Sequence, residues 1–187
     1  MDKQDLVRLA LEMEATHAAW IDSGDIPFAP ELRELCVQNS CGSYNSSWMG
    51  PPAIGPVEDL MARVRLFPAG LVVQTVGRLE DAYDYPGMME VKARHEAMFG
   101  RLVAAVRGLV PAAGRCLALD VGCCHICGTC SYPDEPCRRP DEAMASVEAY
   151  GIYVNGMLTT CGLKYNNGPD TVSFVGLILL DSLDLPA

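Results

Sequence analysis

Between residues 123 and 137 the chain reads CCHICGTCSYPDEPC, five thiols and one imidazole in fifteen positions. From Cys124 the spacing is C-x2-C-x2-C-x6-C, through Cys127 and Cys130 to Cys137, with Pro140 shortly after. Three cysteines in succession at x2 intervals form the run by which ferredoxin-type loops wrap an iron–sulfur cubane, the fourth thiolate arriving from farther along the chain. The backbone must curl round the group to aim such thiolates inward, and Gly128 relaxes its limits at the tightest point. Zinc is the rival, because C-x2-C is also a zinc knuckle and four thiolates close a tetrahedral structural site. Zinc ribbons usually take two pairs separated by a longer loop, so the spacing favours a 4Fe-4S cluster on Cys124, Cys127, Cys130 and Cys137. Adjacent Cys123 and Cys124 cannot both face one metal without distortion, which leaves Cys123 spare. His125 reads as a hydrogen-bond partner or a solvent-facing residue before it reads as a ligand.

The chain holds nine cysteines among 187 residues, the others being Cys36, Cys41, Cys116 and Cys161. An odd count cannot all pair, and a cysteine cluster in a reducing compartment is more often a metal or redox site than a disulfide framework. The first twenty residues, MDKQDLVRLALEMEATHAAW, carry acidic groups where a secretory signal needs a basic segment and an uninterrupted apolar one, so a cytoplasmic location is expected. FVGLILL is far short of a membrane span. A net charge of −10 and a pI near 4.6 argue against sequence-independent binding to nucleic acid or to an anionic membrane surface.

The elements that must position the thiols are legible in outline. Half the residues are apolar and a fifth charged, which suits a single domain over 1–187. Leu6, Leu9, Ala10 and Met13 at helical spacing behind Asp2 predict a short amphipathic helix over 3–14. THAAWID has strand-like content, and AGLVVQTVGRL is a buried strand. Met88 to Val110 predicts the longest helix, between Pro86-Gly87 and Pro111. CLALDVG is a strand running into the main cysteine loop, 123–140, and PDEAMASVEAYG is expected to leave it as a helix with Pro140 in its first turn and Gly151 at its end. TVSFVGLILLD is the final strand. The front cysteine loop, 36–56, is rich in Gly, Pro, Ser and Asn and reads as an ordered loop wrapped around something. Together these predict an α+β or α/β sandwich, a central mixed sheet flanked by helices with the cysteine-rich metal-binding loops at one edge.

Two stretches carry a resemblance. CGTCSYPDEPCRRPDEAMASVEAYGIYV, with its C-R-x-P and S-x-E-A-x-G-I steps, and the C-x4-C-x2-Y-x3-W-M-x-P-P pattern from Cys36 are similar to the prokaryotic predicted metal-binding proteins, a domain of unknown function associated with iron–sulfur clusters. The likeness runs from about residue 36 to 181. It implies that Cys124, Cys127, Cys130 and Cys137 hold a cluster and that Cys36 and Cys41 belong to a second metal site. The family pattern reads M-C-P-P where this chain reads MGPP, so Gly50 replaces a cysteine. Either the front site has lost its metal, leaving Cys36 and Cys41 as packing residues or a thiol pair, or another sulfur completes it. Cys161, in a Gly- and Asn-rich stretch, suits a ligand better than Cys116, which opens a strand. An altered front site with Cys36, Cys41 and Cys161 is the reading adopted.

The function expected is that of a cytoplasmic iron–sulfur protein of anaerobic habit. It would pass electrons to a redox partner protein, or act on a small-molecule substrate at an open iron of the front site. The alternatives are a zinc-stabilised structural or interaction module and a thiol-based sulfur or redox carrier using Cys123 and Cys124. Neither a phosphate loop nor an ordered Ser-His-Asp set is present to suggest other chemistry.

Overall fold

In a computed structural model the chain is described over residues 2–110 and 115–181. Five strands form one mixed sheet: β1 (His17–Asp22), β2 (Ala69–Arg78), β3 (Cys116–Asp120), β4 (Ala145–Ser146) and β5 (Thr171–Leu180). Their order is β1-β2-β5-β3-β4, antiparallel throughout except for the parallel pair β3 and β4. The longest ladder joins β2 to β5, from Ala69 opposite Leu180 to Arg78 opposite Thr171. Both strands are apolar on consecutive residues because both faces of the sheet are covered.

Side-chain alternation divides the core in two. Leu71, Val73, Ala118, Ile178 and Leu180 face one layer, made by α1 (Lys3–Glu12) and α4 (Tyr85–Leu109), whose Leu6, Met98, Phe99 and Leu102 they meet. Val72, Leu119, Leu177 and Leu179 face the other. That layer holds α3 (Val57–Val64), α5 (Val154–Thr160) and the turn over Val147, Ala149 and Tyr150. Asp2 caps α1 through the amides of Gln4 and Asp5, and Asp84 caps α4 through Gly87. Two glycines let α4 lie close to the sheet. A Cβ on Gly77 would stand 2.2 Å from Val91, and one on Gly176 would stand 2.5 Å from Phe99.

The expected α+β sandwich, with a central mixed sheet flanked by helices, is the fold observed. The helix expected over 140–151 is not. Glu142 and Ala143 close a turn on the Arg139 carbonyl, β4 then pairs with β3 at Leu119–Ala145 and Asp120–Ser146, and a 3-10 turn over Glu148–Tyr150 ends at Gly151 with φ 71°. The reason is tertiary. Met144 packs on the α4 side of the sheet while Ala145 and Val147 pack on the opposite side, a two-sided burial that a strand gives and one helix face does not. The sequence reading did not place α3 or α5. α3 is short and lies just beyond the prolines of the front loop, yet Leu60 and Val64 at i and i+4, with Glu58 and Asp59 in the first turn, carry its signal.

Candidate metal centre

The main cysteine loop begins where β3 stops. Asp120 is the last strand residue, its Oδ1 accepts the Val121 amide at 2.8 Å, and Gly122 turns the chain with φ 65°, a conformation costly for other residues. The far end is fastened by β4. Between these anchors the six residues separating Cys130 from Cys137 fold back on themselves: the Glu135 amide donates to Ser131 O at 3.0 Å and Ser131 Oγ to Pro136 O at 2.8 Å. Arg138 bonds the Thr129 carbonyl, crossing the loop. Spacing therefore becomes convergence. Cys124, Cys127, Cys130 and Cys137 all line one tight recess, whose wall includes Ile126, which packs on the α4-side core.

The front loop supplies the rim. Trp48 donates its indole N–H to Glu135 O at 2.9 Å and stands edge-on to Tyr132, ring centroids 4.9 Å apart. Tyr132 donates to Asn45 Oδ1, and the Cys123 thiol lies 3.4 Å from Ser47 Oγ. Ser47, Trp48 and Met49 line the same recess as the four thiols. Arg33 ties the rest of the front stretch to the fold, donating to Gly55 O at 2.9 Å and Ala149 O at 2.7 Å.

Electrostatically the recess is mixed. Burial pushes the Cys124 thiol above its ordinary value, against the pull of the Ile126 and Met144 amides that point at the sulfur; neighbouring Cys123 and Cys137 push it further up. Amides aimed at a sulfur favour the thiolate once a cation is there to share its charge. Among the described residues no three His, Cys, Asp or Glu side chains close round a point that would hold one ion. Four thiols round one recess are a donor set that zinc and iron–sulfur clusters both take.

The other predicted thiols sit elsewhere. Cys36 lies half-buried in the one-turn helix α2 (Glu34–Val37), and Cys41 is exposed in the turns that follow. Cys161 is not in an open loop: it ends α5 and packs against the core on that side of the sheet, where burial pushes its thiol up to about 11. These three form no ligand group. Cys116 opens β3 against the α4-side core, and burial raises its thiol too, partly offset by Arg107. His125 turns away from the sulfurs, its Nδ1 3.3 Å from Glu96 Oε1 and 3.9 Å from Asp120 Oδ2. Sequence reasoning missed Asp120 and His95, which meet beneath the loop; a histidine inside the apolar stripe Val91, Met98, Phe99, Leu102 of α4 was the available signal.

An α+β sheet with a thiol-lined recess at the end of its β3–β4 connection defines a class of metal-binding domain. Over residues 19–180 the chain matches the family described as predicted metal-binding protein (DUF2284), and it belongs to that family. No curated protein and no solved structure matches it. Among the described residues no helix is long and apolar enough to cross a membrane.

Proposed function

We propose that Cys124, Cys127, Cys130 and Cys137 hold a 4Fe-4S cluster and that the protein serves electron transfer with a redox partner protein in the cytoplasm. The observation that carries this reading is the recess itself: four thiols on ferredoxin-like spacing lining one space, under a rim from a distant part of the chain. Such a cluster, when bound, supplies a one-electron couple. The chain does the rest. Four thiolates leave no coordination position free, which favours electron exchange over substrate binding. The Ile126 and Met144 amides stabilise negative charge on Cys124, and hydrogen bonds to sulfur raise the potential of such a site. Trp48 and Met49 limit water access at the rim.

The test is preparation without oxygen followed by iron, zinc and acid-labile sulfide analysis. A brown protein with about four irons and four sulfides per chain is expected. A colourless protein holding zinc on the same cysteines would replace this reading with a zinc-stabilised module.

A further inference from the structure

Cys137 belongs to two surfaces. With Trp48 and Met49 it lines the recess of the four thiols, and the same three residues line a second, open groove. The rest of that groove is Pro133, Asp134, Glu135 and Pro136 of the main loop, all exposed. Of the four thiols that line the recess, only that of Cys137 belongs to a residue lining the groove as well. A group held in the recess would therefore meet the groove through single residues.

The backbone under the groove is already engaged. Glu135 O accepts the Trp48 indole N–H at 2.9 Å, the Glu135 amide donates to Ser131 O at 3.0 Å, and Pro136 O accepts from Ser131 Oγ at 2.8 Å. Pro133 and Pro136 have no N–H to offer. An occupant cannot add a strand here, as peptides do at open sheet edges; it must be met by side chains. Those are the apolar surfaces of Trp48, Met49 and the two prolines, with the carboxylates of Asp134 and Glu135 beside them. Among the described residues neither carboxylate has an ion-pair partner, and the nearest cations along the chain are occupied: Arg138 with the Thr129 carbonyl, Arg139 with Glu142. The groove thus keeps two uncompensated negative charges on a chain of net charge −10, which draws a cationic surface and repels an acidic one. An apolar centre with a charged margin is the make-up of a protein interface, and a groove this open does not enclose a small molecule.

We propose that this groove is the docking face for a basic one-electron redox protein, whose lysine- or arginine-rich margin meets Asp134 and Glu135 and whose apolar centre lies on Trp48, Pro133 and Pro136. Cys137 is where the electron leaves. The proposal rests on the cluster reading of the four thiols. In the step, a reduced cluster gives one electron to the partner's oxidised centre; the cluster is oxidised, the partner is reduced, and no bond or proton moves. Electron transfer weakens steeply with distance, and Cys137 offers a route with no second layer of protein in the way. Redox encounters of this kind bury little area and rely on charge to orient them, so a short groove with two carboxylates is enough.

The test uses the full chain, prepared anaerobically with iron and sulfide counted, reduced with dithionite and mixed by stopped flow with cytochrome c as a lysine-rich one-electron acceptor. Between about 0.01 M and about 0.15 M salt the transfer rate should fall at least about tenfold, as the Debye length shrinks from about 30 to about 8 Å. At about 0.1 M salt, Asp134→Lys with Glu135→Lys should lower the rate at least about fivefold with iron content unchanged. Its rate to ferricyanide, a small anion, should hold or rise. Asp22→Lys with Asp25→Lys makes the same change in net charge at the end of β1, on the sheet edge away from β3 and β4, and should alter the rate by no more than about twofold. A groove variant that acts no more strongly than this control, or a rate indifferent to salt, overturns the docking face. A parent that sediments as a dimer and becomes a monomer in Pro136→Asp gives the groove to a second copy and overturns it too. A colourless zinc protein ends the cluster reading and this face with it; a four-iron protein whose transfer ignores the groove ends this face alone.

Discussion

Cys124, Cys127, Cys130 and Cys137 hang from a loop held at both ends by paired strands, β3 before it and β4 after it. Cys36 and Cys41 lie in a one-turn helix and a series of turns with no strand pairing at either end. The first arrangement turns even spacing along the chain into four sulfurs round one space. In the second, the spacing brings the thiols to no common point with Cys161, and the useful groups are others: Trp48, Tyr44's neighbour Asn45, and Ser47, which reach across to the main loop. Thiol number is thus a poorer guide to a metal centre than what fixes the ends of the thiol-bearing segment. The front loop here forms the rim of the recess that the four main-loop thiols line.

The sharpest way to break that comparison is to exchange single thiols between the regions. Cys127→Ala is expected to lose essentially all iron and to lower the melting temperature, because ordering of the loop is coupled to its metal; Cys161→Ala and Cys36→Ala should keep the full count. Iron lost in Cys161→Ala would restore an altered front site. Within the main loop, Cys124→Ser should fail to assemble the cluster and Cys123→Ser should assemble it, measured as iron content under identical reconstitution. The opposite ranking would move the site by one residue.

A smaller effect is expected at the rim. Trp48→Ala removes the bond to Glu135 O and the edge-on contact with Tyr132 and should cost about 1–3 kcal/mol in denaturant unfolding, with iron retained but lost faster in air. Loss of iron at rest would mean that the front loop does more than cover. The smallest effect concerns Cys161. Its thiol moves from the ordinary 9.0 to about 11 in the folded state, so the stability this gives is whole below pH 9 and lost as pH rises toward 11. The melting temperature should therefore fall more steeply across that window in the parent than in Cys161→Ala.

Much of the frame was legible because its signals are local. β2 and β5 are long apolar runs, and α4 sits between Pro86-Gly87 and Pro111 with helical spacing inside, its observed span Tyr85–Leu109 starting slightly earlier than expected. β4 was not legible, since two residues become a strand only by pairing with β3. The thiol spacing from Cys124 to Cys137 was open to reading, but the rim was not: Ser47 and Cys123, or Trp48 and Glu135, meet across most of the sheet's sequence. His95 was hidden for another reason. Its helical position is that of an ordinary core residue, and only Asp120, from a different element, makes it polar in meaning.

The strand order has a consequence for how the protein is made. β5, the last strand along the chain, lies in the middle of the sheet, and β3 has no neighbour but the two-residue β4 until β5 is inserted against it. On the ribosome the thiols of the main loop therefore emerge well before the strand that fixes their frame, and the sheet closes only through contacts distant in sequence, the slow kind. During that interval the cysteines are reactive groups on an unfinished scaffold, open to stray metals and oxidants. Delivery of the proper metal after β5 has docked would find both ends of the loop already fastened.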